Sequence, residues 1–457
     1  MVEVREVGSK VSNKITFVMK RDGSVVPFDR EKVIIAIYKA AAAVGGHNRA
    51  LSEKVADESI EMMNQCFQPP DWPSVEEVQD IVEKVLIENG HAKTAKSYIV
   101  YRENRRRERE RKAAKRGKES PLPYRIMYET LLWNIDHGCE TTAKLNARVK
   151  DGNFPDLIRE ADEAYGESVT RAAEAIASER GKVRLIIVAG PSSSGKTTTT
   201  SKLSLRLKEL GVETVLLNLD HYFFDLELHP KDEHGDYDFE TPEALDQALI
   251  DAHLRDLIDG RTVEMPRYDF VKGKRLAGGS SIAIGPDQVI LIDTLHGLYK
   301  PMTKSVPDEV KFKVYIETIS ELRDEEGKFV RWTDIRLLRR MVRDHAQRGY
   351  DPAQTLGHWH YVRRSELKHI IPFIRDADYI VNGALPYELP FHKKYSYQHF
   401  PGFIRDWKDN PKRQDACIRA ERIYKMLSQI EVYDDESGLP GDSLLREFIG
   451  GSIYKLH

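Results

Sequence analysis

The chain has 457 residues, and because a single hydrophobic core stops growing at about 250–300 residues, more than one domain is expected. Apolar residues make up 40% and charged residues 31%, which excludes a disordered chain, and a formal net charge of −3 gives no overall attraction to nucleic acid or membranes. The three cysteines form no metal-ligand pair, no apolar run approaches the about 20 residues that span a bilayer, and the N-terminus lacks a signal-peptide core, so a cytoplasmic location is expected.

Residues 14–104 predict a small module of two strands and four helices. Residues 15–19 and 25–26 are predicted strands, joined by a hairpin turn at 20–23. Helices are predicted over 30–44, 51–66 and 75–89, and another begins near residue 92. The third helix should start at Ser74 as N-cap, with Glu77 three residues later completing a capping box.

This stretch resembles the ATP-cone, a small nucleotide-binding module. The resemblance runs in order through residues 18–23, residues 27–29 with Lys32, and residues 75–83 and 95–102. It implies that an effector nucleotide binds here, with its phosphates held by Lys20, Arg21 and Lys32. The alternative is a small α/β domain whose exposed turn happens to be basic.

Residues 105–180 are predicted to form a helical connector. Ten Lys or Arg residues stand against three Glu between residues 102 and 118, and good helix formers of this kind predict a solvated helix. Nucleic-acid binding is the weaker alternative because no aromatic residues interleave with the charges. Prolines at 121 and 123 end this helix, and residues 124–180 again look helical without a motif for chemistry.

A phosphate-binding loop is spelled by residues 190–197, Gly-Pro-Ser-Ser-Ser-Gly-Lys-Thr. An apolar run at 183–189 predicts a buried strand before the loop, and residues 198–210 predict a helix after it. Lys196 should reach the β- and γ-phosphates of ATP, and the Thr197 hydroxyl should hold Mg²⁺. A chance Gly/Ser turn is the alternative, which the correct flanks oppose. The predicted nucleotide-binding residues are Gly190, Pro191, Ser192, Ser193, Ser194, Gly195, Lys196, Thr197 and Thr198.

Two more predicted strands end in a carboxylate. The strand at 214–219 is followed by Asp220, and the strand at 288–292 is followed by Asp293. Ligands bind at the carboxyl ends of the strands in a doubly wound parallel sheet, so both side chains should lie near the phosphate loop. Asp220 is suited to accept the proton of an attacking hydroxyl, although it could instead cap the next segment. Asp293 is placed to hold Mg²⁺.

A predicted helix at 334–344 carries four arginines three or four residues apart. At least three of them share one face, and such a cluster is repulsive unless an anion meets it. A transferring phosphoryl group is the favoured anion, and ion pairs with acidic residues elsewhere are the alternative. The residues are Arg336, Arg339, Arg340 and Arg343.

These motifs together resemble the uridine kinase and phosphoribulokinase family of P-loop kinases. Besides the phosphate loop and the arginine helix, the resemblance rests on residues 219–223, 236–246, 266–270 and 289–293, and residues 377–382 and 445–452 look like a bacterial uridine-kinase-related branch. It implies an α/β fold with a doubly wound parallel sheet over residues 181–457.

The resemblance also implies roles for individual residues. Asp220 becomes the catalytic base, the four arginines become a lid that closes on phosphates, and Glu240 would hold ribose hydroxyls. The implied substrate-binding residues are Tyr222, Glu240, Arg267, Tyr268, Phe270 and Arg275. Three residues depart from the family pattern: Asp293 replaces a glutamate, Glu240 replaces an aspartate, and Gly273 stands where nucleoside-phosphorylating relatives have a histidine.

The predicted function is an ATP- and Mg²⁺-dependent kinase that phosphorylates a hydroxyl of a small nucleoside- or sugar-like molecule, with allosteric nucleotide sensing by the ATP-cone. One alternative is a kinase of an anionic metabolite such as phosphoglycerate or a sugar phosphate, for which Lys272, Lys274 and Arg275 would suit the anion. Another is a non-catalytic nucleotide sensor, which would need no base. The expected partners are the acceptor and an effector nucleotide, with no membrane or nucleic acid, and a homo-oligomer is compatible with the sequence.

Overall fold

The computed structural model describes residues 14–20, 25–67, 72–102, 122–231, 237–269, 272–276, 278–410 and 413–454. They fall into two compact units, one within residues 1–120 with 409–415 and one within 121–408 with 416–457. Two predicted site residues, Arg21 and Phe270, lie outside the described residues. Across the described ranges, no helix is long and apolar enough to cross a membrane.

The first unit is a short hairpin followed by helices. Strands β1 (Phe17–Met19) and β2 (Val25–Pro27) pair antiparallel, and the helices are α1 (Arg30–Ala42), α2 (Arg49–Cys66), α3 (Val75–Glu88) and α4 (residues 92–102). The predicted capping box of Ser74 and Glu77 is present at the start of α3. Apolar side chains at helical spacing, among them Ile34, Ile37 and Val82, form its core. The predicted strand pair and helices are confirmed, with helix ends shifted by one or two residues, and the predicted turn lies mostly outside the described residues.

The second unit contains nine strands and eleven helices among its described residues. The strands are β3 (Leu185–Ala189), β4 (Glu213–Asn218), β5 (Val263–Glu264), β6 (Arg267–Asp269), β7 (Lys274–Leu276), β8 (Ser281–Ile282), β9 (Gln288–Thr294), β10 (Lys311–Glu317) and β11 (Tyr379–Asn382). The helices are α5 (Tyr124–Asp136), α6 (Thr142–Lys150), α7 (Phe154–Ser178), α8 (Lys196–Glu209), α9 (Gln247–Ile258), α10 (Trp332–Arg348), α11 (Pro352–Ser365), α12 (Glu388–Ser396), α13 (Phe400–Trp407), α14 (Gln414–Ser428) and α15 (Arg446–Ile449).

Five strands form a parallel sheet in the order β11-β10-β3-β9-β4. Successive side chains of a strand point to opposite faces, so β3 supplies both cores of the unit. Ile186 and Val188 belong to one core, and Leu185 and Ile187 belong to the other. Because helices cover both faces, the central strand β3 is buried and apolar throughout, as parallel strands usually are. The predicted α/β fold with a doubly wound parallel sheet is confirmed.

The helices at 124–178 belong to the same unit as the sheet. On α7 the buried side chains of Leu157, Val169 and Ile176 lie in one core with Ile186 of β3. The Tyr165 hydroxyl also lies 2.8 Å from the Thr199 hydroxyl of α8. This compact unit therefore begins near residue 121 and not at 181, because the apolar face of α7 needs the sheet to cover it.

Candidate active site

The phosphate loop, residues 190–197, connects β3 to α8 in a conformation that depends on glycine. A Cβ atom on Gly190 would lie 2.4 Å from the Ile316 carbonyl oxygen, so only glycine lets the loop leave β3 beside β10. Gly195 has φ +97°, a left-handed backbone that glycine adopts without strain, and α8 begins at the next residue. The predicted strand, loop and helix are present, and the first-turn N–H groups of α8 can meet an anion.

The strand register brings the two predicted carboxylates to the edge of the phosphate loop. Asp293 of β9 pairs with Val188 of β3 on one side and with Asn218 of β4 on the other. Asp220 follows β4 within the short 3₁₀ turn Leu219–Tyr222, where its side chain is exposed and its N–H donates to Asn218 Oδ1 at 2.9 Å. The carboxylates of Asp293 and Asp220 therefore lie near the carboxyl end of β3, as predicted.

Burial and neighbouring charges shift the ionisation of this cluster. The pKa of Asp293 is raised to about 7, mainly by burial and also by the carboxylates of Glu447 and Asp220, while the Lys196 ammonium opposes this shift. Burial also lowers the pKa of Lys196, against the attraction of Asp293 and Glu447. The Lys196 Nζ donates to the Pro191 carbonyl at 3.2 Å, so the ammonium stands over its own loop.

Thr197 and Asp293 fit a Mg²⁺ ion. The Thr197 hydroxyl lies close enough to the Asp293 carboxylate to lower its pKa, so two hard oxygen donors adjoin each other. A buried carboxylate with a raised pKa is one that a cation would stabilise. Within the described ranges no cluster of three or more His, Cys, Asp or Glu side chains is arranged for a metal. Mg²⁺ bound by a nucleotide usually takes one or two protein ligands and fills its shell with phosphate oxygens and water, and Thr197 and Asp293 can supply the protein ligands.

Two of the four arginines are buried braces of the phosphate loop. Arg336 donates to the Ser192 carbonyl at 3.0 Å and pairs with the buried Glu366. Arg339 donates to the Ser194 carbonyl at 3.2 Å and holds Glu388 through two bonds, at 2.6 and 2.9 Å. The lid prediction is wrong for these two, because their guanidinium groups are fully buried and already committed to carboxylates and loop carbonyls.

The other two arginines stay near the loop with part of their surface open. Arg340 donates to the Ser192 hydroxyl at 3.1 Å and to Glu240 Oε1 at 2.7 Å, so it joins the loop to Glu240. Arg343 bonds Asp344 through Nε and Nη2, and its charge interacts with Lys196. Burial lowers the pKa of Arg343, and the Arg348 guanidinium adds to this. Both remain candidates for phosphate contact.

Tyr222 and Arg275 do not line a substrate pocket. The Tyr222 side chain is fully buried, and its hydroxyl lies 2.9 Å from His253 Nδ1. Arg275 pairs with Asp246 at 2.9 Å and donates to the carbonyls of Phe223 and Tyr222. Both predictions are wrong, since Tyr222 points into the core and Arg275 clamps the segment that follows Asp220.

Glu240, Arg267 and Tyr268, the other predicted substrate residues that the structure describes, differ in exposure. Glu240 is half-buried against Arg340, and its backbone carbonyl accepts from His296 Nε2 at 2.9 Å. In β6, Arg267 is exposed, while Tyr268 is buried and donates its N–H to His221 Nδ1 at 3.4 Å. Gly273 has φ +63°, and a Cβ there would lie 2.9 Å from Leu226, so the turn itself excludes the family's histidine.

The predicted cone residues form an exposed basic surface in the first unit. Lys20 follows β1 and is exposed. The Lys32 side chain is 82% exposed, with Nζ 3.5 Å from Asp29 Oδ2. Asp29 caps α1 by accepting the N–H groups of Glu31 and Lys32. Arg21 is not among the described residues, so the three-residue phosphate grip stays a prediction.

One carboxylate in the site was missed from the sequence. Glu447 of α15 is 5% exposed, and its Oε2 accepts the N–H of Thr198 at 2.9 Å. The contact joins residues 249 positions apart, and Glu447 belongs to no spacing pattern with the phosphate loop. Only its place in the segment 445–452, which carries part of the family resemblance, could have drawn attention to it.

Comparisons with known proteins agree with this geometry. Residues 185–386 match the Phosphoribulokinase / Uridine kinase family model, and residues 16–107 match the ATP cone domain model. The uridine kinase of Deinococcus deserti is 30% identical over 198 residues, which cover 43% of this chain and 86% of that protein. Uridine-cytidine kinase B of Dictyostelium discoideum is 29% identical over 198 residues, covering 43% and 73%.

A solved structure described as a possible uridine kinase from Bacillus stearothermophilus is 15% identical, covers 47% of this chain and 98% of its own, and has a TM-score of 0.34. The family assignment rests on the sequence matches, of which the Deinococcus kinase aligns over most of its length. The chain therefore belongs to the phosphoribulokinase/uridine kinase family, whose kinases use ATP and Mg²⁺, and it carries an ATP cone domain before the kinase.

Proposed function

We propose that this kinase transfers the γ-phosphoryl group of ATP to a primary hydroxyl of a small nucleoside- or sugar-like molecule. The observation that carries the proposal is the meeting of Asp220, Asp293 and the phosphate loop at the ends of three adjacent strands. The exposed Asp220 carboxylate accepts the hydroxyl proton while the acceptor oxygen bonds to the γ-phosphorus. The bond from that phosphorus to the β–γ bridging oxygen breaks, and ADP leaves.

The other residues of the site stabilise charge. Mg²⁺, held by Thr197 and Asp293, would neutralise charge on the phosphates when bound. The Lys196 ammonium stands over the loop at the end of β3, where it offsets charge that develops during transfer. Arg343 is the arginine of α10 best placed to add a contact, because its Nη1 has no bond to any described residue.

An uncharged acceptor fits better than an anionic one. The exposed Asp220 carboxylate follows β4, and its negative charge opposes a phosphorylated acceptor. Arg275, which an anion would need, is occupied by Asp246 and two backbone carbonyls. Lys272 and Lys274 are exposed, with Asp269 and Glu227 within 4 Å of their ammonium groups. A hydroxyl group, in contrast, can donate to the Asp220 carboxylate.

The cone domain is proposed to sense a nucleotide and regulate the kinase. Its exposed Lys20 and Lys32, with Arg21, would bind the phosphates of the effector nucleotide. We assign residues 14–104 to this sensor and place the helices from residue 124 with the kinase, because they share the core of its sheet. A cytoplasmic location stays a prediction from composition.

An acceptor screen tests the catalytic proposal. The full chain is incubated with ATP, Mg²⁺ and separate nucleosides, sugars and phosphorylated acids, and both ADP and the phosphorylated product are measured. We expect at least one uncharged alcohol to accelerate ADP release, and we expect Lys196→Ala to remove that acceleration. Acceleration by phosphorylated acids alone would favour the anionic-acceptor alternative, and ATP binding without turnover would favour the sensor.

A further inference from the structure

The C-terminal segment 439–449 packs on the phosphate loop although it lies beyond the part of the chain that matches the kinase family. The family match ends at residue 386. Leu444 approaches Gly195 so closely that a Cβ on that glycine would lie 2.5 Å from Leu444 Cδ1. Residues 446–449 form α15, so Glu447 is carried directly to the first turn of α8.

At this position the Glu447 carboxylate stands where an anion is expected. The first three or four N–H groups of a helix have no partner in the helix and bind phosphates in nucleotide-binding loops. The N–H of Thr199 is already bonded to the Gly195 carbonyl, whereas the N–H of Thr198 is taken by Glu447 at 2.9 Å. The charge of Glu447 also acts on Lys196 and Asp293, so the carboxylate lies within their field.

Several contacts hold the segment in place on either side of Glu447. Ser443 and Tyr387 both donate to the buried Asp162 carboxylate, at 3.1 and 2.8 Å. Arg446 pairs with Glu436 at 3.1 Å. The contact between Glu447 and Thr198 is therefore part of a built surface, and its carboxylate is almost completely removed from water.

We propose that Glu447 is an internal competitor for the phosphates of the nucleotide, an inference that rests on the proposed function of the phosphate loop. Its carboxylate occupies the N–H of Thr198 while the loop is empty and leaves that N–H when a nucleotide phosphate takes its place. Two like charges so close together in a buried site repel strongly, so both cannot stay.

The consequence is that nucleotide affinity is held below what the loop alone would provide. ATP must first displace Glu447 from the N–H of Thr198. Because one hydrogen bond is exchanged for another, the net free energy of ATP binding is reduced. The competition with Glu447 also weakens the binding of ADP, so ADP is released faster after transfer. Glu447 would in this way set the affinity of the kinase without touching the acceptor.

Equilibrium binding of ATP in the presence of Mg²⁺ to the full chain tests this role. In Glu447→Gln the amide oxygen still accepts the N–H of Thr198, but the charge is gone. We expect ATP and ADP to bind about 5–100-fold more tightly at the phosphate loop, within the usual range of coupling between sites. Lys196→Ala in both backgrounds identifies the binding that belongs to the loop and separates it from the cone. Glu421→Gln, an exposed carboxylate of α14, is the matched control and should change nothing.

Unchanged or weaker ATP binding at the loop of folded Glu447→Gln overturns the inference, since the carboxylate would then brace the helix or serve the nucleotide. If Glu447→Gln does not fold, Glu447→Asp takes its place: the shorter side chain withdraws from Thr198, and tighter binding is again expected. If Lys196→Ala binds as much ATP as the wild-type chain, the phosphate loop binds no ATP and the proposed function itself is overturned. That result is distinct from an unaltered ATP affinity in Glu447→Gln.

Discussion

The kinase and the cone offer two surfaces for the same kind of ligand, and they are built in opposite ways. The phosphate loop is held from behind by Arg336 and Arg339, whose buried guanidinium groups bind its carbonyls. The cone presents Lys20 and Lys32 to solvent, and the nearest acidic partner of Lys32, Asp29, is 3.5 Å away. A site for phosphoryl transfer needs its charges positioned before the ligand arrives, whereas a sensor needs only reversible attraction.

The two surfaces also differ in the free energy that their ion pairs contribute. Exposed ion pairs such as that of Lys32 contribute about 0–1 kcal/mol, because water and salt screen them. Breaking a buried pair costs about 3–5 kcal/mol, because the remaining charge has no water to solvate it. Substitutions in the kinase site should therefore have large effects on rate or stability, and substitutions in the cone should leave stability nearly unchanged and act on nucleotide binding.

The largest expected effect is that of Asp220→Asn on phosphoryl transfer. The amide keeps the shape of the carboxylate but cannot take up the hydroxyl proton, so the transfer rate should fall by about 10²–10⁴-fold while ATP binding stays the same. Single-turnover transfer to an accepted alcohol measures it. Glu227→Gln, on the exposed part of the following segment, is the control. A near wild-type rate in Asp220→Asn would mean that another group is the base.

Next in size is the loss of a brace behind the phosphate loop. Arg339→Met leaves the buried Glu388 carboxylate without its arginine, with only His392 and the Leu385 N–H beside it, so the free energy of unfolding should fall by about 3–5 kcal/mol. Arg348→Met on the same helix removes an arginine that is 45% exposed, and it should cost at most about 1 kcal/mol. Urea unfolding of both variants makes the comparison. Equal losses in the free energy of unfolding would show that burial does not determine how much each arginine stabilises the protein.

Lys196→Ala should nearly abolish ATP turnover and leave the fold intact. One positioned cation on a transferring phosphoryl group contributes about 10²–10³ in rate, and Lys196 is the ammonium of the loop itself. Steady-state ADP production against an accepted alcohol is the measurement. Lys208→Ala, an exposed lysine on α8, should behave as wild type. Turnover that survives in Lys196→Ala contradicts the assignment of the loop.

The smallest effect is expected in the cone. Wild-type protein should bind two nucleotides per chain, and the double variant Lys20→Ala, Lys32→Ala should bind one. Coupling of about 1–3 kcal/mol predicts that the ATP dependence of turnover shifts by about 5–150-fold in that variant. Lys54→Ala, exposed on α2, is the control. One nucleotide per wild-type chain, or an unaltered ATP response, would remove the regulatory role.

Predictions that depend on residues close together in the chain fared better than predictions that depend on contacts between distant residues. The phosphate loop, its flanking strand and helix, and the carboxylates at the carboxyl ends of β4 and β9 are local patterns, and the structure has each of them. The arginine helix was also predicted, and it spans Trp332–Arg348. The amphipathic pattern of this helix does not identify which arginines contact the carbonyls of the phosphate loop, because all four alternate with apolar residues at similar spacing.

The sequence by itself determined the family, the parallel sheet and the sites where strands end, because these depend on residues that are neighbours in the chain. The tertiary structure alone decided that Tyr222 points into the core, that Arg275 clamps a backbone segment and that Glu447 reaches the N–H of Thr198. Each of these contacts joins separate elements, and packing, not local spacing, sets the distance between them.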